Sequence, residues 1–392
     1  MTRNAVPHLA SLGTTVFAQY SALALATNSI NLGQGFPDTD GPTWIREAAC
    51  RAILDGRGNQ YPPGPGILEL RNAIAAHQRR WYSLDYDPNS EVLVTAGATE
   101  ALTAALISLV DTDDEVIALE PFYDSYRAAI AMARGRVVPV TLPGPDYALD
   151  VDALTRAVTK RTKILLINTP HNPTGAVLSR TECEAIAHVA IEHDLIVISD
   201  EVYEHMAFDR THIPLASLPG MKERTLTISS AGKLFSLTGW KIGWVSGPAD
   251  LVATVRTVKQ FLTFVSGGPF QYAIAAALDD GDSWLNELHA TLKGARDQFC
   301  DGLRAIGVDV HQPKGTYFAT IDVRSLGYSS ADDFCQELPQ RAGVVAIPSH
   351  VFYEDPARGA AYARFAFCKK PEVLDLALAG LKNGFGHQTA AQ

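Results

Sequence analysis

Across 392 residues there are only five cysteines, Cys50, Cys183, Cys300, Cys335 and Cys368, with no CxxC and no closely spaced Cys/His set. That scarcity points away from a disulfide framework or a structural zinc module and toward reduced, mostly buried thiols. Positive charge is also short: 33 bases face 43 acids for a net charge of −10, which argues against a nucleic-acid partner while leaving room for a local anion pocket. No uninterrupted apolar run approaches the roughly 20 residues of a membrane span. The opening "MTRNAVPHLASLGTTVFAQYSALA" lacks a basic segment followed by an apolar core and cleavage site. A cytoplasmic protein with no membrane partner is the expectation. Repeats and long Gly/Ser or Pro-rich linkers are absent, and "GQG" at Gly33–Gly35 lacks the rest of a G-x-G-x-x-G fingerprint and runs into a helix-breaking "FPD". A nucleotide-binding dehydrogenase is therefore a poor fit.

What is present is an ordinary globular composition, 47% apolar and 19% charged, in a chain long enough for one large and one smaller domain. Continuous apolar runs at 91–95, 115–119, 163–167, 195–199, 224–228 and 242–246 predict strands, with alanine- and leucine-rich helical segments such as "TEALTAALISLV" between several of them. Strands of this kind are buried on both faces. The fold class expected is α/β: a mainly parallel mixed sheet between helices, plus a small α+β domain. Residues 1–48 read as an N-terminal arm that forms part of the small domain, 49–282 as the large domain and 283–392 as the small C-terminal domain.

The chemistry is concentrated in "SSAGKLFSLTGWKIGW". Lys233, desolvated among other cations, can act as an amine nucleophile toward an aldehyde; a surface or capping lysine is the bland alternative. Ser229, Ser230 and Lys241 offer hydroxyls and fixed charge to a phosphate. Thr99 and the amides around Gly97 and Ala98 sit at a strand-to-helix junction, where backbone donors and the helix dipole favour an anion. A phosphate anchored at one end and a lysine bonded at the other is the division of labour that pyridoxal phosphate requires. Asp200, after the strand "LIVIS", can pair with a pyridinium nitrogen and so favour an electron sink. Tyr203 and Asn172 can reach the ring oxygen, and Tyr123 can stack on the ring. Arg364 in "YARFAF", in an otherwise apolar run, needs an anion such as an amino-acid α-carboxylate. Each of these residues has a plain structural alternative, as cap, turn or core; their convergence is the argument.

With those residues in view, the chain resembles the fold type I, class I/II pyridoxal-phosphate aminotransferases over nearly its whole length. The motifs that carry the likeness are "NLGQGFPD", "NQYPPGPG", "VTAGATEAL", "EPFYDSY", "NTPHNPTG", "SDEVYE", "SSAGKLFSLTGWKIGW" and "ARFAF". The resemblance implies that Lys233 carries the cofactor as a Schiff base, that Asp200 pairs with the ring nitrogen, and that Asn172 and Tyr203 bond its oxygen. It implies ring stacking by Tyr123 and phosphate contacts from Thr99, Ser230, Lys241 and the Ala98 amide. Arg364 would hold the substrate carboxylate with Asn172 and the Gly35 amide, and Tyr61 would reach the phosphate of a neighbouring subunit in a homodimer. Lys241 stands where many members have arginine, giving a point charge in place of a planar fork.

Within the family the chain is similar to actinobacterial N-succinyldiaminopimelate aminotransferases, though these often have serine where Thr169 stands, and to the kynurenine, glutamine and methionine branches. A transaminase of EC class 2.6.1 is thus implied, acting on N-succinyl-LL-2,6-diaminopimelate and 2-oxoglutarate in lysine biosynthesis. Kynurenine, methionine, glutamine or aromatic amino acids are the alternative substrates, suited by Phe17, Tyr20, Phe36, Tyr61 and Phe264 if these line the pocket. A cysteine-S-conjugate β-lyase shares the same lysine, and a non-catalytic binding protein is the least economical reading.

Overall fold

The computed structural model describes residues 6–9, 12–13 and 15–386. Twelve strands form among them: β1 Ile30–Asn31, β2 Val92–Thr95, β3 Glu115–Glu120, β4 Arg136–Thr141, β5 Thr162–Asn168, β6 Ile196–Asp200, β7 Thr225–Ser230, β8 Gly243–Ser246, β9 Phe318–Asp322, β10 Val344–Val345, β11 Ile347–Pro348 and β12 Tyr362–Ala366. Seven build one sheet in the order β2-β8-β7-β6-β5-β3-β4, in which β8 alone runs against its neighbours.

Six of these seven are the apolar runs read from the sequence. The seventh, β4, is broken by Pro139, which has no N–H to donate; the strand survives because it lies at the sheet edge. Strands β3 and β7 are buried at every position. Helices Gly97–Leu109, Asp124–Met132 and Ala249–Leu262 share one core with the sheet, and Val151–Ala157 and Arg180–Glu192 share another. A sheet covered on both sides leaves its loops, at the strand ends, as the place for ligands.

The first and last parts of the chain are joined. Ile30 and Asn31 pair in parallel with Val344 and Val345, and helix Val16–Thr27 packs into a core with β9, β11 and β12 and the 23-residue helix Asp282–Arg304. Strand β12 lies between β11 and β9, so Arg364 sits opposite Ile347 on one side and Thr320 on the other. Four cysteines are buried, Cys50 is exposed, and all five are free thiols. No helix among the described residues is long and apolar enough to cross a membrane.

Candidate active site

Strands β5 and β6 end in register, Asn168 opposite Asp200, and at this carboxyl edge of the sheet lies a cavity of 340 Å³. Its wall brings together Gly35, Gly97, Ala98, Thr99, Tyr123, Asn172, Asp200, Tyr203, Ser230, Lys233, Lys241 and Arg364, which sequence reading had gathered from seven separate segments.

One end is built for an anion. Helix Gly97–Leu109 starts two residues after β2, and Gly97 takes φ +75°, a region that favours glycine. A Cβ there would lie 3.1 Å from the Lys241 amine, so the missing side chain is what admits that amine beside the helix N-terminus. Lys241 itself has φ +53°, a conformation that costs a non-glycine residue about 1 kcal/mol. Two positive ends are thus held together, and among the described residues no ion pair or hydrogen bond occupies the Lys241 amine or the hydroxyls of Thr99 and Ser230. Glu100 in the same turn spends its oxygens on the Ala96 N–H at 2.6 Å and the Thr263 hydroxyl at 2.5 Å. Such a cradle fits a phosphate dianion.

The Ser229 assignment needs correction. Successive strand residues face opposite ways, so with Ser230 on the cavity side the Ser229 hydroxyl points away and donates to Glu204 at 2.6 Å.

Deeper in, Asp200 is buried at the end of β6. Its Oδ2 accepts from the Tyr126 hydroxyl at 2.6 Å and Oδ1 from the Val202 N–H at 3.4 Å. Burial pushes its pKa up to about 6 despite these donors and the Lys233 charge. Asn168 ties this acid to the next group: its amide donates to the Asp200 carbonyl at 2.8 Å, and its oxygen accepts the Asn172 N–H at 2.7 Å. A ring placed here would meet a carboxylate, the Tyr203 phenol and the Tyr123 ring.

Lys233 projects from the short helix Ala231–Leu234. Its amine lies 2.9 Å from the Tyr317 hydroxyl and 3.4 Å from the Gly35 carbonyl oxygen. Burial brings its pKa down to about 8; Asp200 opposes the shift, and the charges of Lys241 and Arg364 add to it. An amine partly neutral near pH 8 can add to a carbonyl carbon and can accept a proton.

Arg364 completes the wall at 1% exposure. Its two terminal nitrogens donate to Asn172 Oδ1 and to the Gly33 carbonyl, both at 2.9 Å, while Nε has no partner. The guanidinium sits 5.3, 4.1 and 4.9 Å from the ring centres of Phe17, Phe318 and Phe352. Among the described residues it has no carboxylate within ion-pair distance, and burial lowers its pKa to about 10. A buried cation without a counter-ion is a receptor for a carboxylate.

Of the aromatic candidates, Phe17 and Phe36 line the cavity. Tyr20 does not: it is buried in the core formed by the two chain ends. Tyr61 and Phe264 lie outside the cavity wall and pack edge to face, centroids 5.4 Å apart, with Tyr61 82% exposed. Sequence reading missed Tyr126, Asn168 and Tyr317. Asn168 carried a signal, a polar side chain closing an apolar strand; Tyr126 lies three residues after Tyr123, one helical turn away; Tyr317 carried none.

Comparison with known proteins agrees with this geometry. Residues 27–381 match the family model described as aminotransferase class I and II. The chain belongs to the class I and II aminotransferases. This aminotransferase is 53% identical over 385 residues to a probable N-succinyldiaminopimelate aminotransferase of Mycobacterium tuberculosis, covering 95% of this chain and 96% of that one. A solved structure of the M. tuberculosis N-succinyldiaminopimelate aminotransferase superimposes with a TM-score of 0.94, covering 96% of this chain and 99% of that one. The methionine aminotransferase of Escherichia coli is 39% identical, with coverages of 93% and 95%. Mouse kynurenine–oxoglutarate transaminase 3 is 36% identical, with coverages of 93% and 87%. The fold is that of the type I pyridoxal-phosphate aminotransferases. Family membership implies this cofactor, and the unpaired Lys241 cation at the helix N-terminus, the buried acid and the lysine amine with its lowered pKa fit it.

Proposed function

We propose that the protein moves the amino group of N-succinyl-LL-2,6-diaminopimelate to 2-oxoglutarate, and that Lys233, Asp200 and Arg364 are the residues around which the reaction is built. The observation that supports the reading is one half-buried amine, one buried acid and one counter-ion-free guanidinium on a single 340 Å³ cavity, in a chain 53% identical to a relative so described. When bound, pyridoxal phosphate supplies a carbonyl carbon for the amino group and an electron-withdrawing ring.

Lys241, Thr99, Ser230 and the first amides of helix Gly97–Leu109 hold the phosphate. Asp200 keeps a proton at the ring nitrogen, Asn172 and Tyr203 bond the ring oxygen, and Tyr123 covers the ring. Arg364 orients the α-carboxylate together with Asn172 and the Gly35 amide. That leaves the Lys233 amine to take the α-proton at Nζ and to return it at the carbon that receives it. Binding at a fixed point and moving one proton between two carbons is efficient because the base never leaves the site.

Two further parts of the reading concern the setting. A homodimer is proposed, with the exposed Tyr61 reaching the partner's phosphate cradle, and a cytoplasmic location. Light scattering at a mass of one chain with full activity would count against the shared site.

The deciding experiment is a transamination panel with 2-oxoglutarate as acceptor, comparing N-succinyldiaminopimelate, methionine, kynurenine and phenylalanine by kcat/KM. The first substrate should exceed the others. A clear preference for methionine or kynurenine would overturn the substrate, and the apolar Phe17 and Phe36 on the cavity wall would then be the residues to examine. Pyruvate and thiol release from cysteine conjugates without an acceptor would mark a β-lyase.

A further inference from the structure

We propose that Tyr317, which no comparison assigns a role, is a positioning residue that aims the free amine of Lys233; the inference rests on the aminotransferase reading above.

The argument is one of counting protons. A phenol has a single O–H. That of Tyr317 donates to the Gly35 carbonyl at 2.7 Å, and burial keeps the group protonated. Toward the Lys233 amine, 2.9 Å away, its oxygen can then only accept. The Gly35 carbonyl, with a second lone pair, lies 3.4 Å from the same amine. A neutral amine has two N–H bonds and one lone pair in a tetrahedral arrangement about nitrogen. With one N–H toward Tyr317 and the other toward Gly35, the lone pair is left with the one remaining direction.

Both acceptors are fixed. A Cβ on Gly35 would lie 2.5 Å from Phe318 Cζ and 2.9 Å from Tyr317 Cε2, so the Gly35 backbone is wedged against these rings. The Tyr317 ring packs edge-on to Tyr203 at 5.4 Å and to Phe318 at 4.8 Å. Whenever Lys233 is free it therefore returns to the same cradle, and its lone pair is presented the same way.

The hydroxyl can be removed with the ring retained. In Tyr317→Phe, holoenzyme is converted to its aminated form with excess amino donor, and acetylation of Lys233 by acetic anhydride is followed by mass spectrometry against pH. An acceptor facing an amine favours the charged form, so its loss should lower the midpoint by about one pH unit. In stopped flow, the α-proton transfer with α-deuterated substrate should slow by roughly 10- to 100-fold, with the dissociation constant of the amino acid unchanged. Tyr317→Leu, which removes ring and hydroxyl together, should shift the midpoint by the same amount. A shift in the leucine variant alone would assign the effect to packing and overturn the proposal, as would a phenylalanine variant equal to wild type in both readouts. Wild-type protein that forms no cofactor absorbance would sink the aminotransferase reading itself, a result distinct from either.

Discussion

The hydroxyl of Tyr126 donates to Asp200 Oδ2 at 2.6 Å, so the acid at the heart of the cavity is held by a residue from the helix that follows β3. A donor to a carboxylate favours its charged form. Tyr126→Phe should raise the Asp200 pKa and move the acidic limb of the half-reaction profile to higher pH by about one unit, since a hydrogen bond to a charged group contributes about 1.5–3 kcal/mol. An unmoved limb would show that Tyr126 does not tune Asp200.

Lys233→Ala should lose the Schiff-base absorbance and nearly all turnover. Asp200→Ala should retain cofactor but exchange the α-proton slowly, because the ring nitrogen loses its anionic partner. Absorbance spectroscopy separates the two variants, and full turnover in Lys233→Ala would refute the assignment.

Arg364→Lys keeps the charge but not the planar fork that reaches Asn172 and Gly33 at once. The loss of kcat/KM should be roughly 30- to 100-fold, about 2–3 kcal/mol, and should lie mainly in KM. A loss confined to kcat would place the guanidinium elsewhere in the reaction.

Gly97→Ala puts a methyl 3.1 Å from the Lys241 amine at a residue with φ +75°. Strain of about 1–2 kcal/mol, together with a displaced cation, should raise the dissociation constant of the cofactor by roughly tenfold or more. Equilibrium titration of the absorbance measures it; an unchanged constant would mean the cradle does not hold the phosphate.

Two buried acids make the cofactor-free protein pH-sensitive. Burial raises Asp200 from the usual 3.8 to about 6 and Glu204 from 4.5 to about 7. The folded chain keeps these protons at pH values where the unfolded chain has released them. Their contribution is therefore fully present below about pH 4 and is lost as the pH rises through 6 and 7. Unfolding free energy in urea, after correction for other groups, should fall over this window at up to roughly 1.4 kcal/mol per pH unit for each acid. Glu204→Gln should flatten the upper part; if it leaves the slope intact, Glu204 is not the source.

Much of this protein could be read from its chain. Strands buried on both faces are runs of apolar residues, and that pattern survives without knowledge of neighbours, so six strands of the main sheet were legible. The segments at their ends carried Lys233, Asp200, Asn172 and Lys241, because groups at strand ends stand beside a ligand through backbone direction alone. The likeness of those loops to one family supplied the rest of the list.

What the chain could not settle depended on contacts between distant segments. Pro139 hid β4, since only an edge position lets a strand do without one donor. Ser229 and Ser230 are equivalent in sequence, and the pairing of β7 between β6 and β8 decided which hydroxyl meets the cavity. Tyr317 lies 84 residues from Lys233 and 282 from Gly35, and folding alone puts one phenol between them. Residue types are fixed by the sequence, but the direction of a hydrogen bond is fixed by what stands on its other side.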